Sequence, residues 1–143
     1  MQLALEVGAR VIGTGRAADR DTVLGLGAEV FVDLEASRLD EVGEVDVVLD
    51  VIGGEVLERS AGAVRAGGTL VTIAGPPKVR PRDGRAVLFV VEPNRAQLSD
   101  LAQRVRDGRL RTNIGTVSTL DDAVAAFNPT ERRPGKTIIR VRP

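Results

Sequence analysis

Short β-branched runs alternate with helix-like stretches along this chain, and glycines separate them, which is how parallel α/β sheets read in sequence. The predicted strands are Arg10–Thr14, Val30–Leu34, Val45–Val51, Thr69–Ala74, Ala86–Val91 and Thr137–Arg142. Two of them, VDVVLDV and TLVTIAG, are nearly continuous apolar runs, so they are expected at the centre of a sheet, covered on both faces. Between them, Val56, Leu57, Ser60, Ala61 and Val64 fall at helical spacing, which predicts a crossover helix over Gly54–Ala66 with Gly67-Gly68 as its left-handed stop. A second helix is predicted over Asn94–Asp107, where Leu98, Leu101, Ala102 and Val105 form one stripe, Asn94 and Gln97 are disposed like a capping box and Gly108 ends the run. A shorter one covers Leu120–Phe127, with Thr119 and Asp122 spaced as a cap. Weaker helical signals cover Asp19–Leu26, ended by Gly27, and Ser37–Val42. The opening Gln2–Val7 is about one and a half turns stopped by Gly8, too short to nucleate alone.

Size and composition narrow the options. The 143 residues fit one ordinary domain, here an α/β fold with a doubly wound, mostly parallel sheet, and leave no room for a second full domain. Lys plus Arg equal Asp plus Glu at 20 each, with no long single-sign run, which argues against nucleic acid or an anionic membrane as partner. Cys and His are absent, which excludes disulfides, thiol nucleophiles, imidazole bases and the usual zinc ligands. No stretch reaches the roughly 20 apolar residues of a membrane span, and the start lacks a secretory signal pattern, so the cytoplasm is the expected compartment.

Candidate chemistry lies at the strand ends, because open parallel sheets bind ligands at the C-terminal tips of their strands. Three predicted tips carry glycine: GTGR (Gly13–Arg16), DVIGG (Asp50–Gly54) and IAGPP (Ile73–Pro77). In dinucleotide folds an acidic residue at the end of the second strand binds a ribose 2′-hydroxyl, whereas Arg and hydroxyls accept a 2′-phosphate. With Thr14, Gly15 and Arg16 at that position and no carboxylate before Asp19, the phosphorylated cofactor is favoured; the plainer alternative is a tight turn with a solvated Arg16. Gly53-Gly54 and Ala74-Gly75 read either as places where a cofactor approaches bare backbone or as helix entry and turn geometry. Asp50 could bond a loop amide, cap the following helix or touch a ligand hydroxyl, capping being the commonest of these uses. No catalytic constellation is visible, so any chemistry would be a cofactor's own, and hydride transfer suits a protein that positions and polarises.

The series GARVIGTGR, LGLGAEVFVD, VDVVLDVIGGE, AVRAGGTLVTIAGPP, FVVEPNRAQLSDLAQRVRDGRLR and GKTIIRV resembles the cofactor domain of medium-chain dehydrogenases/reductases, nearest to their zinc-free, quinone-oxidoreductase-like branch. The resemblance runs from about Leu3 to Val141 and lies in the order of the set, not in any one motif. It implies NADPH binding and reduction of a quinone or other α,β-unsaturated carbonyl in a two-domain subunit. Thr14, Gly15 and Arg16 would surround the adenosine ribose and its phosphate. Asp50, Val51, Ile52 and Gly53 would lie near the ribose and pyrophosphate, and Ala74, Gly75, Phe89 and Val90 near the nicotinamide. It further implies a homodimer through the strand Ala86–Val91 by strand addition. Lys136 matches a recurrent Gly-Lys of unassigned role.

The resemblance also implies an upstream catalytic domain of GroES-like type, then a central strand and a glycine-rich turn like AxGGVG, none of which this sequence contains. The expected domain is therefore an incomplete Rossmann domain over 1–143, whose strands Arg10–Thr14 and Val45–Val51 lack the partner between them and whose reductase activity is absent in isolation. A truncated product, a misplaced start, direct pairing of the two flanking strands or a strand donated by a partner would each account for this. Two other classes stay open: a non-catalytic α/β module that oligomerises or binds a partner, and another doubly wound fold such as a methyltransferase, which would normally end in an antiparallel hairpin.

Overall fold

A computed structural model describes residues 1–36, 39–128 and 134–142. The chain divides into two compact units, Met1–Asn94 and Arg95–Pro143.

The first unit opens with α1 (Gln2–Glu6), β1 (Ile12–Gly15), a 3-10 turn at Ala17–Asp19, α2 (Arg20–Gly25) and β2 (Val30–Asp33). It continues through a 3-10 turn at Leu39–Val42 to β3 (Val45–Asp50), α3 (Gly54–Gly62), β4 (Val64–Thr72) and β5 (Arg85–Leu88). Residues 37 and 38 of the predicted Ser37–Val42 helix lie outside the described residues; the rest is the 3-10 turn. Strands β1 and β2 pair in parallel from Ile12↔Val30 to Gly15↔Asp33. Strands β3, β4 and β5 form a second parallel sheet in that order. Among the described residues β1 and β3 do not pair with each other, so each keeps one open edge.

Three sequence expectations are corrected here. Strand β4 begins at Val64, inside the stretch predicted as helix, because Val64 is needed in the core with Leu57, Ala61 and Leu70. The chain then bulges: Val45 pairs with Val64 and Val47 with Thr69, so residues 65–68 loop out against a single step of β3. Gly67 does adopt a positive φ of 75°, but within this bulge instead of at a helix end, and its amide donates to the Arg82 carbonyl at 3.0 Å.

The second correction concerns burial. The runs on β3 and β4 were expected to be covered on both faces, yet only one face of β3 is. Val48 and Asp50 turn toward the α3 side, while Val47 and Leu49 are 60% and 64% exposed. Leu49, Val71 and Val87 stand in register across the three strands. An apolar run shows that a strand tolerates burial on both faces; it does not supply the cover. The third correction is the strand predicted over Ala86–Val91, which is β5 and stops at Leu88. Only the Phe89 amide prolongs the ladder, donating to the Thr72 carbonyl at 2.8 Å.

The second unit holds α4 (Arg95–Arg106), β6 (Ile114–Thr119), α5 (Ala123–Phe127) and β7 (Lys136–Arg140). The helix α4 matches its sequence pattern, and Arg104 pairs with Asp100 one turn back at 2.7 Å. Thr119 and Asp122 meet as their spacing suggests, the Asp122 amide donating to Thr119 Oγ1 at 3.3 Å. Strand β6 escaped the sequence reading, because IGTVST carries only two large apolar residues; it pairs in parallel with β7.

Candidate functional site

The tips of β3 and β4 are built around one carboxylate. Asp50 ends β3, lies in register with Thr72 at the end of β4, and is only 5% exposed. Its oxygens accept the Ile52 amide at 3.3 Å, the Gly53 amide at 3.0 and 3.1 Å and the Thr72 hydroxyl at 2.8 Å. Thr72, fully buried, in turn accepts the Ala74 amide on Oγ1 at 3.1 Å. The Asp50 carbonyl takes the Ile73 amide at 3.1 Å, extending the ladder one step past the strand end. A carboxylate carries about four acceptor directions, so three donors leave it little capacity for anything further.

Of the uses read for Asp50, the structure shows loop-amide bonding and not helix capping. The N-cap of α3 is Gly53, with a φ of 80°, and no side chain caps it. Gly53 and Gly54 are both in the left-handed region, which a side chain makes costly, and a Cβ at Gly53 would come within 3.0 Å of Ala74 Cβ. The turn is thus bare backbone pressed against the β4 tip, with Val51, Ile52, Ile73 and Phe89 exposed around it. Gly75 has open space where a side chain would be. The structure brings together Asp50, Ile52, Gly53 and Ala74 by bonds and close approach, and it adds Thr72, which the sequence reading did not single out. Thr72 could have been found as the hydroxyl nearest the C-terminal end of the apolar run TLVTIAG, as Asp50 is the polar residue near the end of VDVVLDV.

The β1 tip is a separate cluster. Thr14 and Arg16 are exposed. The Arg16 amide donates to Asp19 Oδ2 at 3.0 Å, and its side chain lies 3.6 Å from Glu35 with both groups largely in water. Arg20 sits over the Phe31 ring at 5.7 Å from its centre. Gly13 must be small for another reason: a Cβ there would collide with the Val23 side chain of α2. Among the described residues no bond joins this cluster to the β3 and β4 tips. Arg16 therefore has two carboxylate neighbours, Asp19 and Glu35, neither of which the sequence pattern had paired with it.

Parallel strands in a Rossmann-like α/β arrangement match the C-terminal domain of medium-chain oxidoreductases. The chain belongs to the zinc-binding dehydrogenase family, which matches residues 26–139. It is 28% identical over 145 residues to a probable zinc-binding oxidoreductase, mitochondrial, of Arthroderma benhamiae, covering 92% of this chain and 44% of that protein. Among solved structures it is similar to an alcohol dehydrogenase superfamily protein from Novosphingobium aromaticivorans (TM-score 0.82, 25% identity, 99% of this chain and 51% of that one). It is also similar to the quinone oxidoreductase from Coxiella burnetii (TM-score 0.74, 26% identity, 99% and 48%). The chain spans about half the length of these relatives.

The family description names zinc, and the residues of this chain do not fit that metal. Cys and His are absent from the sequence, and among the described residues no three Asp or Glu groups converge. No helix among the described residues is long and apolar enough to cross a membrane.

Proposed function

We propose that this chain is the cofactor-binding part of an NADPH-dependent oxidoreductase whose whole form reduces a quinone or another α,β-unsaturated carbonyl. The observation that carries the reading is the β3 and β4 tips, where positive-φ glycines and a bonded carboxylate present bare backbone beside exposed apolar side chains. In this reading the cofactor supplies the hydride, and the chain binds and orients it. Thr14, Gly15 and Arg16 face the adenosine ribose and its 2′-phosphate. Val51, Ile52 and Gly53 line the ribose and pyrophosphate, with Asp50 acting behind them. Ala74, Gly75, Phe89 and Val90 flank the nicotinamide.

A homodimer through the free edge of β5 belongs to the same proposal, as does a cytoplasmic location, although one relative is described as mitochondrial. The glycine-rich turn that binds pyrophosphate is not in this sequence, so the 143-residue chain is expected to bind NADPH very weakly and to lack reductase activity. The test is an amide NMR titration with NADPH and NADH. Shifts at Gly15, Arg16, Gly53, Ala74 and Gly75, larger with NADPH at the β1 tip, are expected; a millimolar titration that moves none of them overturns the proposal. Saturable micromolar binding by calorimetry would instead show that the missing turn is dispensable.

The alternative of a non-catalytic module draws support from the open edges of β1, β3 and β5. It predicts a stable oligomer by ultracentrifugation that added nucleotide leaves unchanged.

A further inference from the structure

Every partner of the Asp50 carboxylate in the β3 and β4 tips is a donor: two loop amides and one hydroxyl. A hydroxyl has one proton and two acceptor directions, so by giving its proton to Asp50 Oδ2, Thr72 is left to accept from Ala74. One unbroken chain of bonds therefore runs from the Gly53 amide through Asp50 and Thr72 to the Ala74 amide, and both side chains in it are buried. Among the described residues no buried side-chain polar atom is left without a partner.

We infer that Asp50 is a positioning residue that locks the two tips together, so that the Gly53 turn and the Ala74-Gly75 turn hold their ligand-ready spacing before any ligand arrives. The inference rests on the cofactor-site reading only for what the tips are used for; the lock itself is a property of the chain. Its polarity is what makes Asp necessary. Asn has almost the same shape, but it must turn an NH2 toward either a loop amide or the Thr72 hydroxyl. In the second case Thr72 has to accept from both sides, and its own proton is buried without a partner. Bonds in series in a buried network are also coupled, so losing the middle one weakens those at each end.

The experiment is amide hydrogen exchange by NMR on the full chain, with Val32 in β2 as a reference outside the junction. Thr72→Val is expected to raise exchange about tenfold at Ala74, and also measurably across the junction at Ile52 and Gly53. Thr72→Ser, which restores the hydroxyl, should return all three toward the parent values. Asp50→Asn should raise exchange at Ala74, on the neighbouring strand tip, and the double variant should exceed Asp50→Asn by little. Effects confined to the substituted residue's own tip, or a double variant equal to the product of the two single effects, overturn the lock. If a variant also loosens Val32, the ratio of each tip amide to Val32 is compared instead, with the same two outcomes. A parallel NADPH titration separates the two ideas: coupled tips with no nucleotide response sink the cofactor reading alone, and a nucleotide response with uncoupled tips sinks the lock alone.

Discussion

The two kinds of tip in the first unit share glycine at the C-terminal end of a parallel strand, but they are stiffened by opposite means. At the end of β1, Arg16 and its carboxylate neighbours stand in water, and their pairing is worth roughly 0 to 1 kcal/mol, weakened further by salt. At the ends of β3 and β4, a buried carboxylate and a buried hydroxyl fix three backbone amides, those of Ile52, Gly53 and Ala74. The first arrangement keeps its charges in water, where their partners can exchange. The second spends its polar capacity internally.

The sharpest way to break this contrast is to undermine the support of the second region. Leu70 is fully buried in β4 beneath the junction, against Leu57, Ala61 and Val64, and Leu70→Ala is expected to destabilise the chain by about 2 to 5 kcal/mol in urea unfolding. A loss under about 1 kcal/mol would show that the core does not hold the junction. A smaller effect is expected from Gly13→Ala, because the added methyl must push aside Val23 on α2; about 1 to 3 kcal/mol is lost, and β1 amides should exchange faster while Gly53 does not. Smallest is Arg16→Ala, within about 0.5 kcal/mol in stability, with a slightly weaker salt dependence than the parent. That substitution should nevertheless erase any preference for NADPH over NADH in the NMR titration. A preference that survives it would move 2′-phosphate recognition away from the β1 tip.

Much of this architecture could be read from the chain because local rules agree with the fold. β-branched runs marked β2, β3 and the end of β4 to within a residue or two, and the Leu98, Leu101, Val105 stripe marked α4. The misreadings have physical causes. Val64 sits at helical spacing from Val56 and Leu57, and only the demand of the core shows that it belongs to a strand. In β6, GTVST has the short polar residues of a loop, and it becomes a strand through its ladder with β7, a tertiary fact. At the site, the Gly53-Gly54 turn was legible because positive φ selects glycine. The Asp50–Thr72 contact was not, since it depends on β3 and β4 being aligned in register, and no local pattern states a register.

The separation of β1–β2 from β3–β4–β5 also bears on how the chain reaches its native state. In each sheet neighbouring strands are joined by a single connection, Ile12 to Asp33 on one side and Val45 to Thr72 on the other, so ring closures stay short for parallel pairing. Neither sheet has to wait for the other to nucleate. Refolding should accordingly be quick for a parallel topology, with β1–β2 and β3–β4–β5 gaining protection at different times in a pulse-labelling experiment.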